Sequence, residues 1–286
     1  MNRPRARPDL AERFRLVVAR GLARSSVATG LTTALLLLLA VAPAWAGVES
    51  DGTSGQHLGG VGGGTQASGT TNSSGGWFKV TTNLGNDGYL LLRLDNNTFD
   101  GAGWRFSTAT TSLRIFVLNG GVEISGSADV GAITLNKWYF LFVVRSSAST
   151  FTFYKGDETT VAASVGTIAS FPINDEDAWG IGMLGSAAPG TSLHSASERW
   201  KDYARALTPT EVDAERVSLT PASVTNLNSY NALTTAGSYA GTLGMLNYTF
   251  TEQGGVNFST VGGPSPTAPG GGGGRRGRMG LMGVGR

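Results

Sequence analysis

Residues 77–261 alternate apolar and polar side chains with a period of two, in short runs broken by turn chemistry. Tyr89-Leu90-Leu91-Leu92-Arg93-Leu94 follows the turn Asn86-Asp87-Gly88. Leu113-Arg114-Ile115-Phe116-Val117-Leu118 ends at Asn119-Gly120-Gly121, residues that tolerate the positive φ of a tight hairpin turn. Trp77-Phe78-Lys79-Val80, Gly103-Trp104-Arg105-Phe106 and residues 137–145, 151–155, 161–168, 179–184 and 199–204 read as further strands, with 226–230 and 243–250 as later candidates. Many short strands with polar turns predict an all-β antiparallel sandwich or barrel, each sheet with one buried and one wet face. One helix interrupts the pattern. Thr208-Pro209-Thr210-Glu211 is a capping box with Pro at the first helical position, and Val212, Ala214 and Val217 are expected to face inward along residues 211–218.

Composition separates the ends of the chain from its middle. Of the 22 Lys and Arg, seven Arg lie in residues 1–24 and four in 275–286, which leaves 11 against 16 acids in residues 77–261. The middle is acidic, so a nucleic-acid partner is not expected. With no Cys there are no disulfides and no thiolate chemistry, and two His leave little room for histidine metal sites. An Arg-rich start, the apolar residues 31–41 and Ala44-Trp45-Ala46 before Gly47 read as a signal peptide over residues 1–46, cleaved between Ala46 and Gly47. Cleavage leaves no membrane span, because the apolar run falls short of the roughly 20 residues needed. The expectation is a secreted or cell-surface protein. Residues 47–76, mostly Gly, Ser, Thr and Asn with little apolar content, are expected to form a flexible leader, and residues 262–286 a Pro/Gly linker with a basic tail.

Three stretches resemble a laminin G-like domain of the concanavalin A-like lectin/glucanase superfamily. They are Lys137-Trp138-Tyr139-Phe140-Leu141-Phe142-Val143-Val144-Arg145 with Phe151-Thr152-Phe153-Tyr154-Lys155-Gly156, then Trp179-Gly180-Ile181-Gly182, then Trp200-Lys201-Asp202-Tyr203-Ala204-Arg205-Ala206-Leu207-Thr208-Pro209-Thr210-Glu211-Val212. The last is similar to the family's closing strand and helix, where Arg205 is expected to anchor the turn. The resemblance implies a two-sheet antiparallel jelly roll over residues 77–261, and a fold that hosts lectins, adhesion modules and glycanases alike. The acidic pair usual before the closing strand is replaced here by Glu198-Arg199-Trp200-Lys201.

The site candidates follow from that frame. Trp104, Trp179 and Trp200 are candidate rings for a sugar face, with Asp95 and Asn97 as candidate hydroxyl ligands, although most Trp in a sandwich are core. Asp175, Asp177 and Asp100 are the candidate oxygen ligands for calcium, set against a plain reading as polar turns. Glu211-Val212-Asp213-Ala214-Glu215 matches the letters of a retaining glucanase strand motif, but behind a helix cap the three acids cannot share one face, so no catalytic residue is assigned. His194 is expected on an exposed loop. The expected partner is a glycan or cell-surface polymer and the expected task binding without catalysis. A structural adhesion protein and a glycoside hydrolase are the alternatives.

Overall fold

In the computed structural model, the described residues are 46–51, 57–61, 71–85, 87–94, 100–124, 126–169, 178–184, 194–234, 240–246, 249–253 and 257–268. The alternating runs become strands of two antiparallel sheets. The first holds β1 (Ala46–Asp51), β3 (Asn72–Thr82), β9 (Tyr139–Ser147), β10 (Thr150–Asp157), β11 (Ala163–Ala169), β13 (His194–Tyr203) and β16 (Asn257–Gly262), in the order β11-β10-β9-β3-β13-β1-β16, with β14 (Leu227–Asn231) also on β13. The second holds β2 (His57–Val61), β4 (Gly88–Leu94), β5 (Gly101–Ser107), β6 (Ser112–Asn119), β7 (Val122–Glu123), β12 (Ala178–Leu184) and β15 (Thr251–Gln253), in the order β15-β2-β12-β4-β5-β6-β7, with β8 (Ala128–Ala132) on β6. The chain repeatedly crosses between sheets, as a jelly roll does.

Inward side chains of both sheets form the main core. Phe78, Leu141, Val143, Phe151 and Phe153 of the first sheet meet Leu90, Trp104, Phe106, Leu113 and Ile115 of the second. Each fully buried side chain of this size contributes roughly 1.5–3 kcal/mol. A buried ion pair bridges the same space: Arg93 Nη1 of β4 donates to Asp202 Oδ1 of β13 at 3.0 Å, and Asn228 Nδ2 donates to Asp202 Oδ2 at 2.8 Å.

The first sheet has no wet face in its centre. Its outer side carries Trp77, Phe140, Phe142, Val144 and Tyr203, packed with Leu207, Val212, Leu227 and Tyr230 of the closing segments. Burial on both sides explains why Tyr139-Phe140-Leu141-Phe142-Val143-Val144 is apolar at every position. The covering element is α1 (Pro209–Val217), which starts at the expected capping box: Thr208 Oγ1 accepts from Glu211 N at 3.3 Å, and Glu211 Oε2 accepts from Thr208 N at 2.8 Å. Its inward face differs from the expected Val212, Ala214 and Val217. The buried residues are Val212, Glu215 and Arg216, at helical spacing. Lys201 Nζ meets Glu215 Oε2 and the Glu215 carbonyl, each at 2.8 Å, and Tyr203 Oη donates to Glu215 Oε1 at 2.6 Å. A charged triad therefore fastens the helix to β13.

Three expectations of local structure are corrected. The leader expected over residues 47–76 contains β1, β2 and the first five residues of β3. Close packing requires the small residues Gly75 and Gly76. A Cβ on Gly75 would lie 2.7 Å from Phe142 Cα, and one on Gly76 would lie 3.0 Å from the Glu198 and Arg199 carbonyls. Those carbonyls approach because β13 bulges: its register on β3 shifts between Glu198 and Lys201, and Arg199 takes φ +55°. The linker expected from residue 262 onward is likewise partly structured, since Gly262 closes β16 and the next residues lie against Arg199, Arg216 and Glu158. Among the described residues of 243–250, Leu243 and Thr249 make the isolated bridges Tyr230↔Leu243 and Ala240↔Thr249, and Met245 N and Leu246 N donate to the Leu227 and Asn228 carbonyls at 2.9 Å each, in place of a regular strand. The end of the chain, residues 269–286, lies outside the described residues.

Candidate functional site

The outer face of the second sheet carries a polar network across β5, β6 and β7 beside an apolar cluster of Leu92, Phe116 and Leu118. Alternation puts Trp104 and Phe106 of β5 into the core and Arg105 on the other side. In β6 it buries Leu113 and Ile115 and turns Arg114 outward. Arg105 stands in register with both Tyr89 of β4 and Arg114 of β6. Two like charges on opposed positions repel. Glu123 of β7 resolves this by taking both: its Oε1 lies 2.7 Å from Arg105 Nη1 and its Oε2 lies 2.9 Å from Arg114 Nε. Asp87 Oδ2 meets Arg105 Nη2 at 2.6 Å, and Asp129 Oδ1 meets Arg114 Nη1 at 3.4 Å. The ring of Tyr89 packs at 4.9 Å on Phe116 at the border of this network.

The network is half-buried, with side-chain exposures of 21–40%. Burial works to raise the pKa of Asp87, but hydrogen bonds from Thr108 N and Oγ1 and the charge of Arg105 outweigh it, so the carboxyl is held below its usual range. Arg105 is held charged: burial lowers its pKa, while Glu123 and Asp87 raise it further. Burial raises the Tyr89 phenol, keeping it a neutral O–H donor. The surface thus combines a fixed ring, charged forks of donors and ionised acceptors, set by register on neighbouring strands. Such groups hydrogen-bond hydroxyls and stack on an apolar ring face.

The sequence-predicted residues fall elsewhere. Trp104 is fully buried, edge-on to Phe153 at 5.7 Å, and Trp200 is fully buried, edge-on to Phe250 at 5.1 Å. Neither offers a face to a ligand, which corrects the expectation for both: each points inward because alternation puts it on the core side. Trp179 lies on β12, paired in register with Arg93 and Gly60, and its side chain is outside the described residues. Asp95, Asn97, Asp175 and Asp177 are also outside them. Asp100 Oδ1 accepts from Gly120 N at 2.6 Å and so closes the hairpin turn, the plain reading of that residue. Among the described residues no group of three or more His, Asp or Glu is placed to hold a metal ion. Ala46 and Gly47 lie in β1, where Ala46 pairs with Gly262. His194 opens β13 in register with Thr82 and Asp51, half-buried and not on a loop.

The Glu211, Asp213 and Glu215 set diverges, as expected for a helix. Glu211 caps α1 and pairs with Arg205 Nη2 at 2.8 Å, so that its carboxyl is pulled down to about 2. Asp213 Oδ1 accepts from Ala162 N and from Arg216 Nε. Glu215 is buried. Among the described residues, the carboxyl pushed strongly upward is Glu198, raised to about 7 by burial against the opposing pull of Arg199 and Lys79. It sits on the covered side of the first sheet, away from the polar face. Tyr89, Arg105, Arg114 and Glu123 were missed by motif reading, yet the alternation that buries Trp104 and Ile115 is the signal that exposes Arg105 and Arg114.

No protein-family model matches the chain, and no curated protein matches it. Solved structures do. A Bacteroides ovatus ATCC 8483 structure described as a "putative carbohydrate binding protein" aligns at 15% identity and TM-score 0.53, over 77% of this chain and 60% of that one. The heptameric SAP-like pentraxin of Limulus polyphemus aligns at 15% identity and TM-score 0.42, over 77% and 91%. A Trypanosoma rangeli sialidase aligns at 17% identity and TM-score 0.39, over 50% of this chain and 22% of its own. The chain thus spans well under two thirds of the sialidase and 60% of the Bacteroides protein. At these identities the likeness concerns fold alone, and with the strand order above it shows a two-sheet antiparallel jelly-roll sandwich.

Proposed function

We propose that this chain is an exported, non-catalytic carbohydrate-binding module of the laminin G-like type, and that it binds through the outer face of the second sheet. The observation that carries this is the fixed network of Arg105, Arg114, Glu123 and Asp87 beside Tyr89, on the sheet face that the closing helix does not cover. Its groups are those that grip vicinal hydroxyls and a sugar face. The fold shared with the Bacteroides ovatus protein is compatible with that task. The laminin G-like assignment is supported by the closing motif: Arg205 pairs with Glu211, and Leu207 is buried under the turn while its N–H donates to Ser73 Oγ at 2.9 Å.

The module is read as non-catalytic on the chemistry of this face. Retaining or inverting hydrolysis needs one carboxyl kept protonated near neutrality. Asp87 is held ionised and Glu123 spends both oxygens on arginines. Export is read from residues 1–46; cleavage after Ala46 keeps the Val48↔Ser197 to Asp51↔His194 pairing of β1. Among the described residues no helix is long and apolar enough to cross a membrane. A glycan array probed with the secreted chain, with and without EDTA, tests the reading. Saturable, EDTA-resistant binding to a glycan that is not consumed is the expected result. Release of reducing ends from that glycan contradicts the non-catalytic assignment, and no binding under either condition contradicts the glycan assignment.

A further inference from the structure

We propose that Glu158, Arg199 and Arg216 form a second recognition site, a groove that reads the backbone of an extended Pro-Xaa-Pro-Thr segment, and that residues 263–268 of this chain are its resident occupant. The sequence there is Gly263-Pro264-Ser265-Pro266-Thr267-Ala268. Its N–H groups are used at alternate positions. Ser265 N donates to Glu158 Oε1 at 2.6 Å, and Thr267 N donates to the Glu158 carbonyl at 2.8 Å. The positions between are Pro264 and Pro266, which have no N–H to satisfy. Carbonyls point the other way: Pro264 O accepts from Arg199 Nη2 at 3.2 Å, and Thr267 O accepts from Arg216 Nη1 and Nη2 at 3.3 Å each.

Arg216 is held by groups outside the segment as well. Arg216 is fully buried, and its guanidinium is fixed by Asp213 Oδ1 at 2.7 Å and by the Asp157 carbonyl at 3.0 Å. Gly156 leaves room for it, since a Cβ there would lie 2.9 Å from Arg216 Cδ. Pro264 is the buried anchor of the strap, while Ser265 is exposed and open to other side chains. Thr267 adds one side-chain contact, Oγ1 to the Glu158 carbonyl at 3.1 Å. The two prolines preset an extended backbone and lower the entropy lost on docking. Register and side-chain pattern therefore select Pro-Xaa-Pro-Thr over a generic extended chain, and the partner this surface fits is a peptide of that pattern.

The test uses the full chain with the strap disarmed by Pro264→Gly, Ser265→Gly, Pro266→Gly and Thr267→Gly together. The probe is a fluorescent peptide Gly-Gly-Pro-Ser-Pro-Thr-Ala, followed by anisotropy. The disarmed chain is expected to bind it at least tenfold more tightly than the wild-type chain, whose own strap competes. N-methylation of the probe at its Ser and Thr amides is expected to abolish binding, and replacing both Pro by Ala to weaken it about tenfold. Equal binding by both chains, or unchanged binding of the N-methylated probe, overturns the proposal. Because the four substitutions risk the fold, a second measurement stands alone: in the full chain with Glu158→Ala, which removes the side-chain acceptor of Ser265 N and keeps the carbonyl that accepts from Thr267 N, amide exchange at Ser265 is expected to rise about tenfold, and unchanged exchange at Ser265 overturns it.

Discussion

Replacing Lys201 by Met removes the centre of the triad that fastens α1 to β13. The side chain is 1% exposed, and its ammonium reaches Glu215 Oε2 and the carbonyls of Glu215, Ser218 and Thr220, at 2.8, 2.8, 3.3 and 3.4 Å. Burial pulls the Lys201 pKa down while the Glu215 carboxylate pulls it up. Lys201→Met leaves the buried Glu215 carboxylate with only Tyr203 Oη and Ala222 N as donors. Breaking a buried pair from one side costs about 3–5 kcal/mol. For a domain of this size that is a fall in Tm of roughly 6–20 °C. Adding Glu215→Gln removes the stranded charge and keeps an acceptor for Tyr203, so the double variant is expected to lose at least ~1 kcal/mol less than the sum of the singles. Urea unfolding followed by circular dichroism gives all four corners of the cycle. A loss below ~1 kcal/mol for Lys201→Met, or simple additivity, refutes the claim that the triad fastens the helix.

Three further outcomes follow from single residues. Glu198 is a buried carboxyl raised from 4.5 to about 7. A raised pKa means that the native state holds the proton more tightly than the unfolded chain, so its contribution is present below pH ~4.5 and lost as pH rises through about 7, some 3 kcal/mol in all. Stability from pH 5 to 8 should therefore fall in the wild type and flatten in Glu198→Gln, and a wild-type curve already flat over that window contradicts the assignment. Gly103→Ala in β5 drives a Cβ into the Leu91 carbonyl of the paired strand, and a loss of at least ~1–3 kcal/mol is expected by thermal unfolding. Arg93→Met strands the buried Asp202 in the core and should cost about 3–5 kcal/mol in the same assay.

What could be read in the sequence depended on whether a pattern had a single physical cause. Alternation in residues 89–94 and 113–118 arises only from strands with distinct faces, and β4 and β6 lie there. The capping box at Thr208 has one local geometry, and α1 begins at it. Low apolar content had two causes and was assigned the wrong one. In residues 72–76 it reflects the close approach of β9 and the β13 bulge, a long-range constraint that composition does not carry. The burial of Glu215 and Arg216 left no mark in the local sequence because their partners, Lys201 and Thr267, are distant in sequence. At the candidate site the tryptophans drew attention by residue type. Arg105 beside Trp104, on the opposite side of the same strand, was legible from parity, but the Glu123 that joins it to Arg114 comes from a two-residue strand with no signal of its own.

The central claim is that a glycan docks on the outer face of the second sheet against Tyr89. Its most direct test is the affinity for the best array glycan of the wild-type chain, of Tyr89→Ala and of Thr152→Ala, a half-buried position on β10 of the other sheet. Calorimetry should show at least a tenfold weaker Kd for Tyr89→Ala with the unfolding temperature little changed, and an unaltered Kd for Thr152→Ala. Equal affinity in Tyr89→Ala and wild type would contradict the account and move the binding site off this face.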